Sequence, residues 1–257
     1  MIYDALFDIW HLFNRAMKKL LRTPILIFLS LFQSVLFLAL FTQVFTKFGN
    51  LPGFPAGGYL QFATAGILIM PALTSSMQSG NSMVDDINSG YLSKMLVTPV
   101  SRPAILLGRL LSDAVMMLIP TGIILALAYV LGATFATGAP GILLILFTLA
   151  FFEIAWSGIG LATGLTTKSS EAVTGLGTLI MFPLIFLSTA FVPLQFLPNW
   201  IQAVSNFNPI SYGVNAVRAL MSAGFDWNTI IPAYAVLALL TAVTIGATLY
   251  QFRRVVK

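Results

Sequence analysis

DDINSGYLSKMLVTPVSRPAILLGRLLSD, residues 85–113, is the longest interruption in an otherwise apolar chain. It holds Asp85, Asp86, Lys94, Arg102, Arg109 and Asp113, and Pro99 and Pro103 break it in two. Gly90 loosens its start, and a long apolar run stands on either side. Such a segment reads as a short amphipathic helix held outside a bilayer between two membrane spans. Ile87, Tyr91, Leu92, Met95 and Leu96 recur near one face at helical spacing, with Asn88, Ser89 and Lys94 largely off it. An apolar face of that kind needs a cover. Two covers suit it: the lipid headgroup region and a protein partner.

Composition sets the class. Of 257 residues, 58% are hydrophobic and 8% charged, against about 25% charged in a soluble protein. The expectation is an all-α integral membrane protein with no sizeable soluble domain. A net charge of +5 can signal nucleic acid, but here the bases lie at the edges of apolar runs and fit membrane topology instead. There is no cysteine, hence no disulfide, thiolate metal site or cysteine nucleophile. One histidine, His11, excludes an H-E-x-x-H zinc site, and no metal is expected.

Upstream, residues 2–22 place Tyr3, Leu6, Trp10, Phe13 and Met17 on one side of a helix, with Asp4, Asp8, Arg15, Lys18 and Arg22 on the other. Acids come early and bases late, which suits the helix dipole. This segment is expected to lie flat on the membrane surface; its long charged region and lack of an A-x-A site disfavour a signal peptide. The first span is expected at 25–45, since 21 residues at ~1.5 Å each cross about one hydrocarbon core. A Gly/Pro loop leads to a second span at 61–83, where Pro71 predicts a kink. Thr74, Ser75, Gln78 and Asn81 make its last half too polar for lipid. That polarity suits either helix packing through small residues or a solute pathway involving Ser75 and Gln78.

Downstream, spans are expected at 105–131, 141–165, 172–192 and 230–250. Arg109 and Asp113, four residues apart, are positioned to pair along the third. Glu153 falls near the middle of the fourth, where an acid must be neutral, paired or in contact with a wet cavity. Two roles are open to it: contact with a cationic solute, or a protonated acid bonded to a neighbouring helix. Gly160 and Gly164 form a G-x-x-x-G pair. Residues 193–218, PLQFLPNWIQAVSNFNPISYGVNAVR, are broken by proline and rich in aromatics, and read as one or two short helices at the interface. With both termini placed in the cytoplasm, eleven of the thirteen bases lie inside and only Lys47 and Arg218 outside.

Catalytic signatures are missing. Gly-Leu-Thr-Thr-Lys-Ser at 164–169 faintly echoes a phosphate loop, but it lacks the Gly before the Lys and follows no strand. The chain is not expected to be an enzyme, and any ATPase driving it must be another chain.

Two stretches carry a resemblance. One is Asp86-x-x-x-Gly90-Tyr-Leu-x-x-Met-Leu-x-Thr98-Pro99-Val-Ser-Arg102-x-Ala-Ile-Leu-Leu-Gly108-Arg109-x-x-x-Asp113. The other is Phe191-Val-Pro193-Leu-x-x-Leu197-Pro198-x-Trp200, then Asn208-Pro209-x-x-Tyr212 and Arg218. Together with the span plan, the chain resembles the membrane permease of type-2 ABC exporters, most of all the daunorubicin-resistance type. The resemblance implies six spans, an interfacial N-terminal helix, and outer re-entrant helices between spans five and six at 193–218. It implies a coupling helix that docks into a separate ATPase through Asp86, Gly90, Tyr91, Leu92, Met95, Leu96, Pro99 and Arg102. It also implies a permease dimer, here a homodimer, on an ATPase dimer that holds ATP and Mg, with no cofactor on this chain. The substrate class implied is drug-like, lipid or otherwise amphiphilic. Glycan export by the same family is the nearest alternative; a channel would need no docking helix, and a membrane enzyme would cluster polar groups at one depth.

Overall fold

The computed structural model describes residues 10–11, 13–15, 17–18, 22, 24–97 and 102–255. Every regular element among them is helical. Described residues between 10 and 18 are helical; the rest of the expected surface helix lies outside the described set. Then follow α1 (Pro24–Val44), α2 (Gly58–Leu68), α3 (Met70–Asn88), α4 (Tyr91–Leu96), α5 (Arg102–Val130), α6 (Gly138–Thr167), α7 (Ser170–Phe186), α8 (Asn199–Ser205), α9 (Pro209–Arg218) and α10 (Trp227–Val255). A π-helical turn, Ala219–Ala223, follows α9.

Four helical stretches among the described residues are long and apolar enough to cross a membrane: Gly58–Asn88, Pro103–Val130, Gly138–Thr167 and Trp227–Arg253. The first is α2 and α3 in sequence, interrupted at Ile69 just before Pro71, whose missing N–H ends one helix and starts the next. Among the described residues, Leu31–Val44 of α1 and Ser170–Phe186, which is α7, are shorter apolar stretches by the same measure. α7 stops at Phe186, six residues before the expected end of the fifth span, because Ser188 and Thr189 turn the chain and spend their polar groups on the turn and on α9. Exposed large apolar side chains line the outer faces of both helices, among them Phe28, Phe32 and Leu40 on α1 and Leu179, Phe182 and Phe186 on α7. Such surfaces suit lipid, where every backbone group is already satisfied within its helix.

α6 is the central helix, packed by α3, α5, α7, α9 and α10. Its contact with α3 is a glycine seam. A Cβ on Gly160 would stand 2.6 Å from the Ser76 carbonyl oxygen, one on Gly80 2.5 Å from the Gly160 carbonyl oxygen, and one on Gly164 2.8 Å from the Gly80 carbonyl oxygen. The two backbones therefore approach as closely as glycine alone permits. α10 joins the other side of α6 through Thr244 and Thr248, whose hydroxyls donate to the Ala155 and Gly158 carbonyls at 2.8 and 3.0 Å.

Candidate functional site

At one end of the bundle, α3 reverses into α4 at Gly90. Its φ of +69° is in the left-handed region, where a Cβ would be strained. Just before the reversal, Asp86 is gripped from two sides. Arg109 Nη1 stands 3.0 Å from Asp86 Oδ2, and Arg15 Nη2 3.2 Å from Asp86 Oδ1. Arg109 Nη2 also donates to Ser82 Oγ at 2.5 Å. The Arg15 guanidinium lies 3.3 Å over the Tyr91 ring, tying the N-terminal helical segment to α4.

Three expectations change here. Arg109 is buried and turns across to α3 rather than along its own helix to Asp113, because a buried guanidinium needs a carboxylate and Asp86 is presented to it together with Ser82. Asp86 is 4% exposed and serves this internal grip, not an open docking face. Leu92 and Met95 are buried by this chain itself, against Met83, Ile105, Leu106, Leu110, Leu161, Leu165 and Phe252. Ile87, Tyr91 and Leu96 pack partly against the same cluster. What the tip exposes is its other side: Asp85, Asn88, Ser89, Ser93, Lys94 and Val97. Pro99 and the Arg102 side chain lie outside the described residues.

Deeper in the bundle, Glu153 is fully buried at the middle of α6. Ser157 Oγ donates to its Oε1 at 2.7 Å, and Ser75 Oγ on α3 at 3.3 Å. Ser75 and Gln78 are half-buried, on a face of α3 that also carries Thr74 and Asn81. The structure thus joins Glu153 to Ser75 but keeps Glu153 behind that face.

The opposite end is built by residues 193–218. Buried Pro193 precedes the short turn Leu194–Phe196, and Pro198 caps α8. Asn208 caps α9, accepting from Ile210 N at 3.0 Å while its Nδ2 donates to the Leu184 carbonyl at 2.5 Å. Pro209 takes the first turn of α9, where its missing N–H is harmless. Tyr212 Oη donates to the Asn206 carbonyl at 2.9 Å. Arg218 spans the end: it donates to Asn215 Oδ1 at 2.9 Å and the Thr189 carbonyl at 2.7 Å, and covers the Phe62 ring at 3.7 Å. Trp200 and Phe207 are left exposed.

Sequence reasoning missed the Arg15–Asp86 bond. It also missed a two-way latch in which Gln61 Nε2 donates to the Thr134 carbonyl at 2.7 Å and Thr134 N donates to Gln61 Oε1 at 2.8 Å. A lone Gln opening an apolar run was the available signal for the latch. Among the described residues no group of three His, Cys, Asp or Glu side chains is placed to hold a metal.

Comparison with known proteins agrees with this architecture. The family model described as ABC-2 type transporter matches residues 8–222. The chain is 29% identical to the daunorubicin resistance ABC transporter permease protein DrrB1 of Streptomyces coeruleorubidus, over 82% of its own length and 74% of the relative's. It is 30% identical to the probable doxorubicin resistance ABC transporter permease protein DrrC of Mycobacterium tuberculosis, over 62% of this chain and 57% of that one. It is 27% identical to the probable multidrug ABC transporter permease YbhR of Escherichia coli, over 74% and 49%. A helical bundle with apolar outer faces, a family model spanning most of its length and these relatives agree: the chain belongs to the ABC-2 type transporter family as a multi-pass membrane permease.

Proposed function

We propose that this permease exports drug-like or other amphiphilic molecules, driven by ATP bound with Mg on a separate ATPase, and that two copies form the pathway. The observation that carries the coupling reading is the tip at Gly90. Its apolar side is locked into the bundle through Leu92 and Met95, and Asp86 is clamped by Arg109 on α5. A push on the exposed side, at Ser93, Lys94 and Val97, therefore passes into α3 and α5 as a rigid body. The docking face is this polar side rather than the apolar one. In this reading α1 and α7 also cross the membrane, giving six spans, both termini lie in the cytoplasm, and α8–α9 re-enter from the outer side. The half-buried polar face of α3, with Ser75 and Gln78, faces the pathway.

Drug-resistance permeases among the relatives favour a drug-like cargo. Membrane vesicles from cells expressing this chain with its ATPase should accumulate a cationic amphiphilic dye only when ATP is supplied. ATP-independent accumulation of the same dye would instead support a channel.

A further inference from the structure

Ser75, Ser79, Ser82 and Asp86 follow one another along α3 at offsets of four, three and four, and so share one helix face over about 16 Å. Ser79, Ser82 and Asp86 are buried. Ser75 bonds to Glu153 at the deep end, and Ser82 and Asp86 bond to Arg109 at the other. On α5, Ser112 and Asp113 lie about one turn further in than Arg109 and are buried too. Asp113 supplies a second buried carboxyl, beside Ser112. Among the described residues, the other helices packed on α6 turn their charged and titratable groups elsewhere, and Arg253 of α10 is exposed. Glu171 of α7 is exposed and bonded to Ser169, Arg218 of α9 is held by Asn215 and Thr189, and Tyr234 of α10 shares a hydrogen bond with Thr148.

A second observation concerns the oxygens themselves. Glu153 Oε2, Ser79 Oγ and Ser112 Oγ are buried without a hydrogen-bond partner. Buried polar atoms are almost always satisfied, and an intramembrane acid among them marks an ion or proton path. Among the described residues no three carboxyls are gathered into a divalent-cation cage, but carboxyls spaced along a row of hydroxyls do make a path for protons, since each hydroxyl both accepts and donates.

We propose that Glu153 is an internal proton-binding site, served from the Asp86 end of the bundle by the Ser75–Ser79–Ser82 column of α3 and by Ser112 and Asp113 of α5. On loading, a hydronium ion at the Asp86 end gives up a proton. A lone pair on Glu153 Oε2 takes it, an O–H bond forms, and the carboxylate becomes a neutral acid. On unloading the O–H bond breaks, its pair stays on Oε2, and the proton returns to water by the same route. The neutral form is the one an apolar surround tolerates. This goes beyond the transport reading and uses no substrate, so its failure would leave that reading standing.

The test is infrared difference spectroscopy on the purified, lipid-reconstituted permease. The carbonyl band of a protonated carboxylic acid should be present in the parent and lost in Glu153→Gln, which keeps the shape of the side chain. On transfer to deuterated buffer that band should shift, and Ser79→Ala and Asp113→Asn should slow the shift by about a hundredfold, the lower range for a positioned proton-transfer group. Ser79→Thr, which keeps a hydroxyl, should retain the parental rate even if the column tolerates alanine poorly. The absence of any band that Glu153→Gln removes would overturn the proposal. So would a band whose exchange rate is the same in the parent, Ser79→Ala and Asp113→Asn.

Discussion

Arg109 reaches from α5 to Asp86 on α3, Nη1 to Oδ2 at 3.0 Å, with the two side chains only 10% and 6% exposed. A buried pair of this kind is strongly interdependent, because either charge left alone keeps its desolvation penalty without its partner. Arg15, at 38% exposure, adds a weaker grip on the other carboxylate oxygen.

Arg109→Met should therefore lower the stability of the solubilised permease by about 3–5 kcal/mol. Pairing it with Asp86→Leu should recover most of that loss, since both charges are then gone. Denaturant unfolding of the two variants against the parent checks this. A double variant as unstable as the single one would mean the pair does not hold α3 to α5.

The glycine seam makes a sharper contrast. Gly160→Ala would set a methyl 2.6 Å from the Ser76 carbonyl oxygen, a backbone atom that moves only if α3 moves. Overpacking of this kind costs about 1–3 kcal/mol. Gly175→Ala on α7 meets nothing within 4 Å and should be neutral or slightly stabilising, alanine being the better helix former. Melting temperatures that rank the two variants the other way would refute the seam.

Much of this architecture was legible in the chain. Apolar runs marked the helices, Pro71 marked the break at Ile69, and Glu153 stood out as an acid inside an apolar run. The long-range choices were not legible. Periodicity grouped Leu92 with Met95, but not the fact that Ile105 and Phe252 of this same chain cover them. Spacing offered Asp113 to Arg109 four residues away, while the carboxylate it takes is 23 residues back on another helix. The end of α7 was obscured because Leu187, Ala190 and Phe191 read as a continuing apolar run, although Ser188 and Thr189 turn the chain there.

Topology can be read directly, because the chain has no native cysteine. Single cysteines at Asn50 and Asn199 should react with an impermeant maleimide added outside intact cells, and one at Ser89 should react only after the membrane is opened. All three sites are exposed or lie at turns and helix ends, so a lack of reaction reports sidedness rather than burial. Labelling of Ser89 from outside would invert the orientation.

The central claim is that an ATPase engages the polar side of the Gly90 tip. Cysteines placed singly at Ser93, Val97 and Leu92 test it by chemical crosslinking in native membranes. Ser93 and Val97 are exposed, whereas Leu92 is buried against Phe252 and its neighbours. Ser93 and Val97 should yield an adduct whose mass is the permease plus an ATPase, and Leu92 should yield none. An ATPase adduct at Leu92 with none at Ser93 or Val97 would contradict the account.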